Sequence, residues 1–264
     1  MGILNVTPDS FSDGGRYFER GRAVAHALEM EAAGAQIIDI GGESTRPGAS
    51  ELTVAAECER ILPVIRELRG RLRCPISVDT RKAVVAEEAL EAGAAIVNDV
   101  SAMTFDPAMP AVVARRRAVV ILMHMRGTPA TMMRMARYAD LVREVSAYLA
   151  GRARAAAAAG IARSRIVLDP GIGFAKRTSH NLILLNTIGR LRRLGYPVLI
   201  GVSRKAFIRR IVGSSEDELL FGTAAAVAIA VNAGAAIVRV HDPGPMAIVT
   251  RMAAAIAQGV KTRS

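Results

Sequence analysis

Cysteine, lysine and aromatic side chains are all scarce in this chain of 264 residues. The two cysteines, Cys58 and Cys74, lie sixteen positions apart, and neither has a partner at metal-ligand spacing. Two cysteines make no disulfide framework, so free thiols in a reducing cytoplasm are expected. Neither a two-His helix pair nor a Cys-x-x-Cys occurs, which disfavours a tight protein-only zinc site. Aromatic residues make up 4% of the chain, too few for the stacking platforms of a single-strand binder. No run of about 18 uncharged apolar residues is present, so no membrane span is expected. Met1 is followed by no charged segment and no small-residue cleavage site, so no secretory signal is expected. Glycine-rich phosphate loops of the two common spacings are lacking, which disfavours ATP and dinucleotides. A Gly-x-Ser-x-Gly nucleophile elbow is lacking as well.

What is abundant is apolar and basic. Apolar residues reach 51%, enough for a sizeable core, and the net charge is +11 with a pI near 10.7. The basic excess is 31 Arg against 4 Lys, spread among alanines, with Arg115-Arg116-Arg117 as the densest run. That distribution reads as compositional bias rather than a nucleic-acid footprint. A basic surface would also draw in an anionic small substrate.

One phrase recurs. Ala33-Gly34-Ala35 precedes Ile37-Ile38-Asp39-Ile40, Ala92-Gly93-Ala94 precedes Ile96-Val97-Asn98-Asp99, and Ala233-Gly234-Ala235 precedes Ile237-Val238-Arg239-Val240. Each Gly ends a helix-period stretch, where a left-handed residue is cheap only without a Cβ. Each following run is short, β-branched and apolar, as in a strand buried on both faces. The glycines are 59 and then 141 positions apart, and βα units of about 30 to 35 residues fit both gaps. Strands are predicted at 2–6, 36–40, 75–79, 95–99, 118–123, 165–169, 197–202 and 236–240. Helices are predicted near 20–33, 53–70, 82–92, 107–116, 138–159, 179–194, 217–233 and 244–259. Eight parallel strands, each followed by a helix, predict a closed α/β barrel, the (β/α)8 TIM barrel; an open doubly wound sheet is the alternative. No linker interrupts residues 1–264, which read as one domain. The longest irregular stretches, 7–19, 41–52, 124–137 and 203–216, all follow strands, on the side where barrels carry their chemistry.

The predicted strands end in Asn5, Asp39, Asp79, Asn98-Asp99, His124, Asp169, Ser203-Arg204-Lys205, and Arg239 with His241 and Asp242. Any single Asp or Asn there reads first as a helix cap. Capping does not explain the set, because His, Arg and Lys cap poorly. One polar pocket at the top of the barrel does. Converging carboxylates and amides suit a flat, nitrogen-rich heterocycle, since a carboxylate accepts two N–H bonds from an amino-pyrimidinone edge. Lys205, Arg239 and His241 supply donors for an anion. Magnesium held through one amide or carboxylate and substrate phosphates stays open.

These residues resemble the dihydropteroate synthase family along nearly the whole chain. Residues 1–15, from Met1-Gly-Ile-Leu-Asn5 to Gly15, look like its first strand and first loop, and Asp39-Ile-Gly-Gly-Glu-Ser-Thr-Arg-Pro-Gly48 like its second. Ser77-Val-Asp-Thr80, Asn98-Asp99, Met123-His-Met125 with Gly127-Thr-Pro129, Asp169-Pro-Gly-Ile-Gly-Phe174, Gly201-Val-Ser-Arg-Lys205 and Arg239-Val-His241 match its remaining strand ends. The resemblance implies a transferase of folate biosynthesis on a pterin-binding barrel. It joins 6-hydroxymethyl-7,8-dihydropterin diphosphate to para-aminobenzoate and releases 7,8-dihydropteroate and diphosphate. It implies Asp79, Asn98, Asp169 and Lys205 as pterin ligands. Asn5, Arg239 and His241 are implied for the diphosphate, with Asn5 also reaching Mg2+. Thr45, Arg46, Pro47, Phe174 and Ser203 are implied for para-aminobenzoate, with Asp9 on a loop that closes over it. Asn5, Asp79, Asp169, Lys205, Arg239 and His241 are the residues expected to carry the chemistry. A cytoplasmic homodimer acting on small molecules is expected, with neither a nucleic acid nor a membrane as partner. Because no residue is inserted in Glu43-Ser-Thr-Arg-Pro-Gly-Ala-Ser50, sulfonamides are expected to compete with para-aminobenzoate. The alternatives are an inactive pterin-binding paralogue and a corrinoid-linked pterin methyltransferase domain. Ala175, where the family usually has Gly, and Asp242-Pro243-Gly244-Pro245 depart from the pattern without removing a site residue.

Overall fold

A computed structural model of the chain describes residues 1–6, 16–43, 51–128 and 130–259, with residues 16–19 as backbone only. Eight strands form: β1 (Gly2–Asn5), β2 (Ile38–Gly41), β3 (Ile76–Asp79), β4 (Ile96–Asp99), β5 (Val119–Met123), β6 (Ile166–Asp169), β7 (Leu199–Gly201) and β8 (Ile237–Arg239). They are one to three residues shorter than their predicted spans, because the outer residues of each span leave the ladder to join turns. The first six pair in parallel in chain order, and β7 pairs with β8. Two narrower seams complete the ring. Leu168 pairs with Val198 between β6 and β7, and Gly2 with Val240 between β8 and β1. At the second seam Ile3 N–H donates to the Val240 carbonyl at 3.0 Å, and Val240 N–H to that of Met1 at 2.9 Å. The result is the (β/α)8 barrel.

Ten helices surround it among the described residues: α1 (Arg16–Ala32), α2 (Val54–Leu68), α3 (Ala83–Ala92), α4 (Met109–Arg116), α5 (Leu141–Ala158), α6 (Thr178–Asn186), α7 (Ile188–Arg192), α8 (Ala206–Val212), α9 (Glu216–Asn232) and α10 (Pro243–Gln258). The three recurrent glycines, Gly34, Gly93 and Gly234, follow α1, α3 and α9 and all have positive φ. Two differences from the predicted helices stand out. The stretch 179–194 breaks at Thr187, whose hydroxyl bonds back to the Ile183 carbonyl at 2.8 Å and leaves the helical path. The stretch 203–216, read as irregular, holds α8, whose Phe207 and Ile208 are buried.

Side-chain parity sorts the core. Residues i and i+2 share a face of a strand. Met1, Ile96, Ile121, Val167 and Leu199 form a separate apolar cluster, with Ile37, Val119 and Ile237 against it. These occupy the inward positions and fill the barrel interior. Ile38, Ile40, Val78, Val97, Val120, Leu122, Leu168, Ile200 and Val202 have the opposite parity and belong to the larger core shared with the helices. Each fully buried side chain of this kind contributes about 1.5–3 kcal/mol.

Candidate active site

Continuing each inward row toward the C-terminal end of its strand leads from apolar to polar side chains. Ile37 leads to Asp39, Ile96 to Asn98, Val167 to Asp169, and Ile237 to Arg239 and His241. The ladder sets Asn5 opposite Gly41, Gly41 opposite Asp79, and Asp79 opposite Asn98. Polar groups placed inside a barrel must find partners, and Asp39, Asp79, Asn98 and Arg239 find them in one another. Asp39 is fully buried, and its Oδ2 accepts from Asn98 Nδ2 at 3.0 Å and from Arg239 Nε at 2.6 Å. Arg239 Nη2 reaches Asp79 Oδ2 at 2.8 Å. Burial raises the Asp79 pKa, the Arg239 charge opposes that shift, and Asp39 adds to it. Burial works against the Arg239 charge in turn, but the two carboxylates overcome it and hold the guanidinium protonated. Among the described residues, Asp39 Oδ1 has no hydrogen-bond partner.

The next part of the wall comes from the turn after β6. Asp169 Oδ1 accepts from Gly171 N–H at 2.7 Å. Gly171 sits at φ +68°, and a Cβ there would lie 2.1 Å from the His124 carbonyl oxygen, so only glycine fits. The turn brings the half-buried Phe174 to Lys205, whose Nζ lies 4.9 Å from the ring centroid. The Lys205 ammonium donates to the Ile172 carbonyl. Burial lowers the Lys205 pKa to about 8, with Asp169 pulling it back up. Burial raises the Asp169 pKa, against Lys205 and the Gly171 N–H.

The turns after β7 and β8 fasten to each other. His241 N–H donates to Ser203 Oγ at 3.2 Å, and its Nδ1 lies 3.1 Å from the same oxygen. One residue further, Arg204 grips Asp242 with two bonds of 2.9 and 2.6 Å. Arg204 is left-handed at φ +55°, and its N–H donates to the buried Thr223 Oγ1 of α9 at 3.2 Å. Thr223 therefore fixes the turn that separates Ser203 from Lys205.

The family of this chain is also visible in comparison with known proteins. A family model described as pterin binding enzyme matches residues 1–241. A dihydropteroate synthase from Synechocystis is 47% identical over 97% of this chain and 89% of its own length. The chain belongs to the dihydropteroate synthase family of pterin-binding enzymes. The dihydropteroate synthase of Xanthomonas albilineans, solved with 4-aminobenzoic acid, is 43% identical and superimposes with a TM-score of 0.91, covering 99% of this chain and 93% of that one. That of Yersinia pestis, solved as a sulfonamide drug complex, is 40% identical with a TM-score of 0.92, covering 98% and 94%.

Of the residues that the dihydropteroate synthase resemblance singles out, Asp79, Asn98 and Arg239 lie in one bonded network with Asp39. Asp169, Phe174 and Lys205 form a second group, and Ser203 with His241 a third. Asn5 occupies the end of its inward row, and its side-chain amide bonds to none of the described residues. Asp9, Thr45, Arg46 and Pro47 lie outside the described residues. Two strand-end side chains do not belong to the pocket. Asp99 accepts from Ser101 N–H at 2.7 Å and Met103 N–H at 2.9 Å, which is the turn-capping role expected of a lone Asp. His124 is buried against Tyr148, ring centroids 4.9 Å apart. Parity explains both: Asp99 shares a face with Val97 and His124 with Leu122, so they point into the helix layer. Sequence reasoning did not single out Lys82, Lys176 or Thr223, all buried and polar. The signal available for the first two is that lysine is so rare in this chain.

Whether a magnesium ion fits depends on the donors. Among the described residues no group of three or more His, Cys, Asp or Glu converges on one point. A closed protein cage is thus lacking there, and a hard cation that keeps most of its water needs none. The Asn5 amide oxygen, which bonds to none of the described residues, fits as a single protein ligand beside substrate phosphates.

Proposed function

We propose that the polar tier at the barrel mouth holds a pterin diphosphate with its ring inward and its diphosphate toward the turns after β1 and β8. The chain is a dihydropteroate synthase, a transferase that forms 7,8-dihydropteroate and diphosphate from 6-hydroxymethyl-7,8-dihydropterin diphosphate and para-aminobenzoate. The observation that carries the site assignment is the Asp169–Lys205–Phe174 group beside the Asp39–Arg239–Asp79 network. It offers carboxylates for an amino-pyrimidinone edge, a ring face, and cationic donors within one opening.

In this reading the aryl amine nitrogen attacks the methylene carbon next to the pterin. The C–O bond breaks, its electron pair leaves with the diphosphate, and the amine proton passes to water. The amine is neutral near pH 7, so departure of the diphosphate is the harder half. Arg239 spends two of its five N–H donors on Asp39 and Asp79, leaving the others for the leaving group. His241, oriented through Ser203, adds a further donor. Asp169 at the amino edge favours positive charge on the pterin, which suits a dissociative substitution. Mg2+ bound to the diphosphate and to Asn5 would neutralise the charge that grows on the leaving oxygens.

The described helices also present an apolar face. On α10, Ile248, Met252 and Ile256 are 61%, 62% and 64% exposed at four-residue spacing, beside Phe221 and Ile229 of α9 at 69% and 56%. A second copy of the chain on that face makes a homodimer. Cys58 and Cys74 are free and half-buried, which suits a reducing cytoplasm. No described helix is long and apolar enough to cross a membrane.

The test is turnover of pterin diphosphate and para-aminobenzoate with Mg2+. Release of diphosphate together with dihydropteroate is expected, with competitive inhibition by a sulfonamide against para-aminobenzoate. Tight pterin binding without turnover would instead mark an inactive paralogue.

A further inference from the structure

Lys176 follows the turn that carries Phe174, and it is only 3% exposed. Lysine normally runs its stem along apolar surface and keeps the ammonium in water. Here the ammonium is turned inward. Its Nζ lies 2.9 Å from the Phe174 carbonyl, 3.3 Å from the His124 carbonyl and 3.0 Å from His124 Nδ1. Three acceptors match the three donors of an ammonium, so none is left for a substrate. The third bond requires a neutral His124 with its proton on Nε2. Burial, then Lys176 and Arg126, lower the His124 pKa to about 3, which keeps the ring neutral.

The groups touching this ammonium are therefore uncharged, and burial lowers its pKa to about 7. Asp169 on β6 pulls that pKa back up, while Lys205 and Arg126 push it further down. The coupling runs both ways. Burial disfavours the Asp169 carboxylate, and Lys205, the Gly171 N–H, Lys176 and Arg239 favour it. On α6, His180 is lowered by burial, by Arg177 and then by Lys176.

We propose that Lys176 is a positioning residue for pterin recognition: it ties the Phe174 turn to the end of β5 and, while protonated, adds positive charge that favours the Asp169 carboxylate, without touching substrate. The inference rests on the reading of Asp169 as a pterin ligand. A protonated Asp169 would present one acceptor and one donor to an edge that offers only donors. Lys205 supplies the larger share of this stabilisation and Lys176 adds to it from the far side of the Phe174 turn.

The experiment compares the pH dependence of 6-hydroxymethylpterin binding, by calorimetry, in the natural protein, Lys176→Met and Lys176→Gln. Removing the charge makes Asp169 harder to ionise, so affinity should be lost at a higher pH. The acid limb is expected to move up by roughly half a pH unit or more in both variants. On the alkaline side of that limb, Lys176→Gln, which keeps amide donors, should bind within about threefold of the natural protein. A loss equal at every pH, with the acid limb unmoved, would show a purely structural lysine and overturn the proposal. If neither variant folds, lysine-labelled NMR spectra decide, since the chain has only 4 lysines. Asp169→Asn should lower the Lys176 titration midpoint, with the Lys205 signal identified through Lys205→Gln. An unmoved midpoint also overturns the proposal. Absence of pterin binding to the natural protein would strike the site reading instead, and the lysine spectra would still settle the coupling.

Discussion

Asp169 serves two ends that pull against each other. In the proposed site it must be buried to define a dry edge for the pterin, and burial raises its pKa. It must also be ionised to accept two N–H bonds. Asp169→Asn removes the conflict and the function together. The Asn oxygen still accepts from Gly171 N–H, so the turn should persist. At the pterin edge, one of two charge-assisted acceptors becomes a donor facing donors. Such bonds are worth about 1.5–3 kcal/mol each, which corresponds to roughly a 10- to 150-fold loss of affinity. Calorimetry with a pterin analogue should show that loss; a change below about threefold would remove Asp169 from the pterin site. Asp39 is a different case on the same wall. It is fully buried and bonds to Asn98 and Arg239, so in the proposed site it orients two side chains rather than a substrate.

Between elements, the most committed charges lie where β2 and β3 hand over to α2 and α3. The Lys82 ammonium bonds Glu57 of α2 at 2.6 Å and also Glu43, while Arg81 holds the other oxygen of Glu43 at 3.1 Å. Glu43 and Glu57 are 9% and 1% exposed. Lys82→Met fits the space but leaves two buried carboxylates facing each other. Breaking a buried pair in this way costs about 3–5 kcal/mol, and denaturant midpoints should fall accordingly. A midpoint within about 1 kcal/mol of the natural protein would mean that water reaches these carboxylates. None of this network was legible in the sequence, since buried ion pairs leave no periodicity. The strands were legible because three units share one helix-stop and apolar run, at Gly34, Gly93 and Gly234, whose spacing sets the repeat for the rest. α8 was missed because Ala206–Val212 makes only about two turns, too short for a helical period to show. The site was legible as a set of strand ends, and over-read by Asp99 and His124. The missing step was parity: Asn98 and Asp169 continue the inward rows of Ile96 and Val167, whereas Asp99 and His124 continue outward rows.

Two properties belong to the whole molecule. The first is the assembly proposed through α9 and α10. Glu in place of Phe221 or Met252 would put a charge into the proposed dimer face, while both positions are more than half exposed within a single chain. Sedimentation should show the natural protein as a dimer and each variant as a folded monomer; an unaltered dimer would move the interface elsewhere. The second is the dependence of stability on pH, where Lys176 contributes a definite sign. Its folded pKa is about 7 against an ordinary 10.5. Between those values the unfolded chain binds the proton more fully than the folded one. Stability due to this group therefore rises with pH across the window, and the penalty is complete below about pH 7. The limiting slope is about 1.4 kcal/mol per pH unit for one group. Other groups act in the same range, since Lys205 is lowered to about 8 and Cys74 is raised to about 11. A difference between two proteins isolates the lysine. Urea unfolding of the natural protein and of Lys176→Met, both without ligand, should give curves that converge as pH rises from 7 to 9. Met suffers no charge burial, so the variant gains most where the natural lysine is still forced to choose between desolvation and losing its proton. Parallel curves over that interval would mean that Lys176 titrates as an ordinary lysine, and that its ammonium is hydrated in solution.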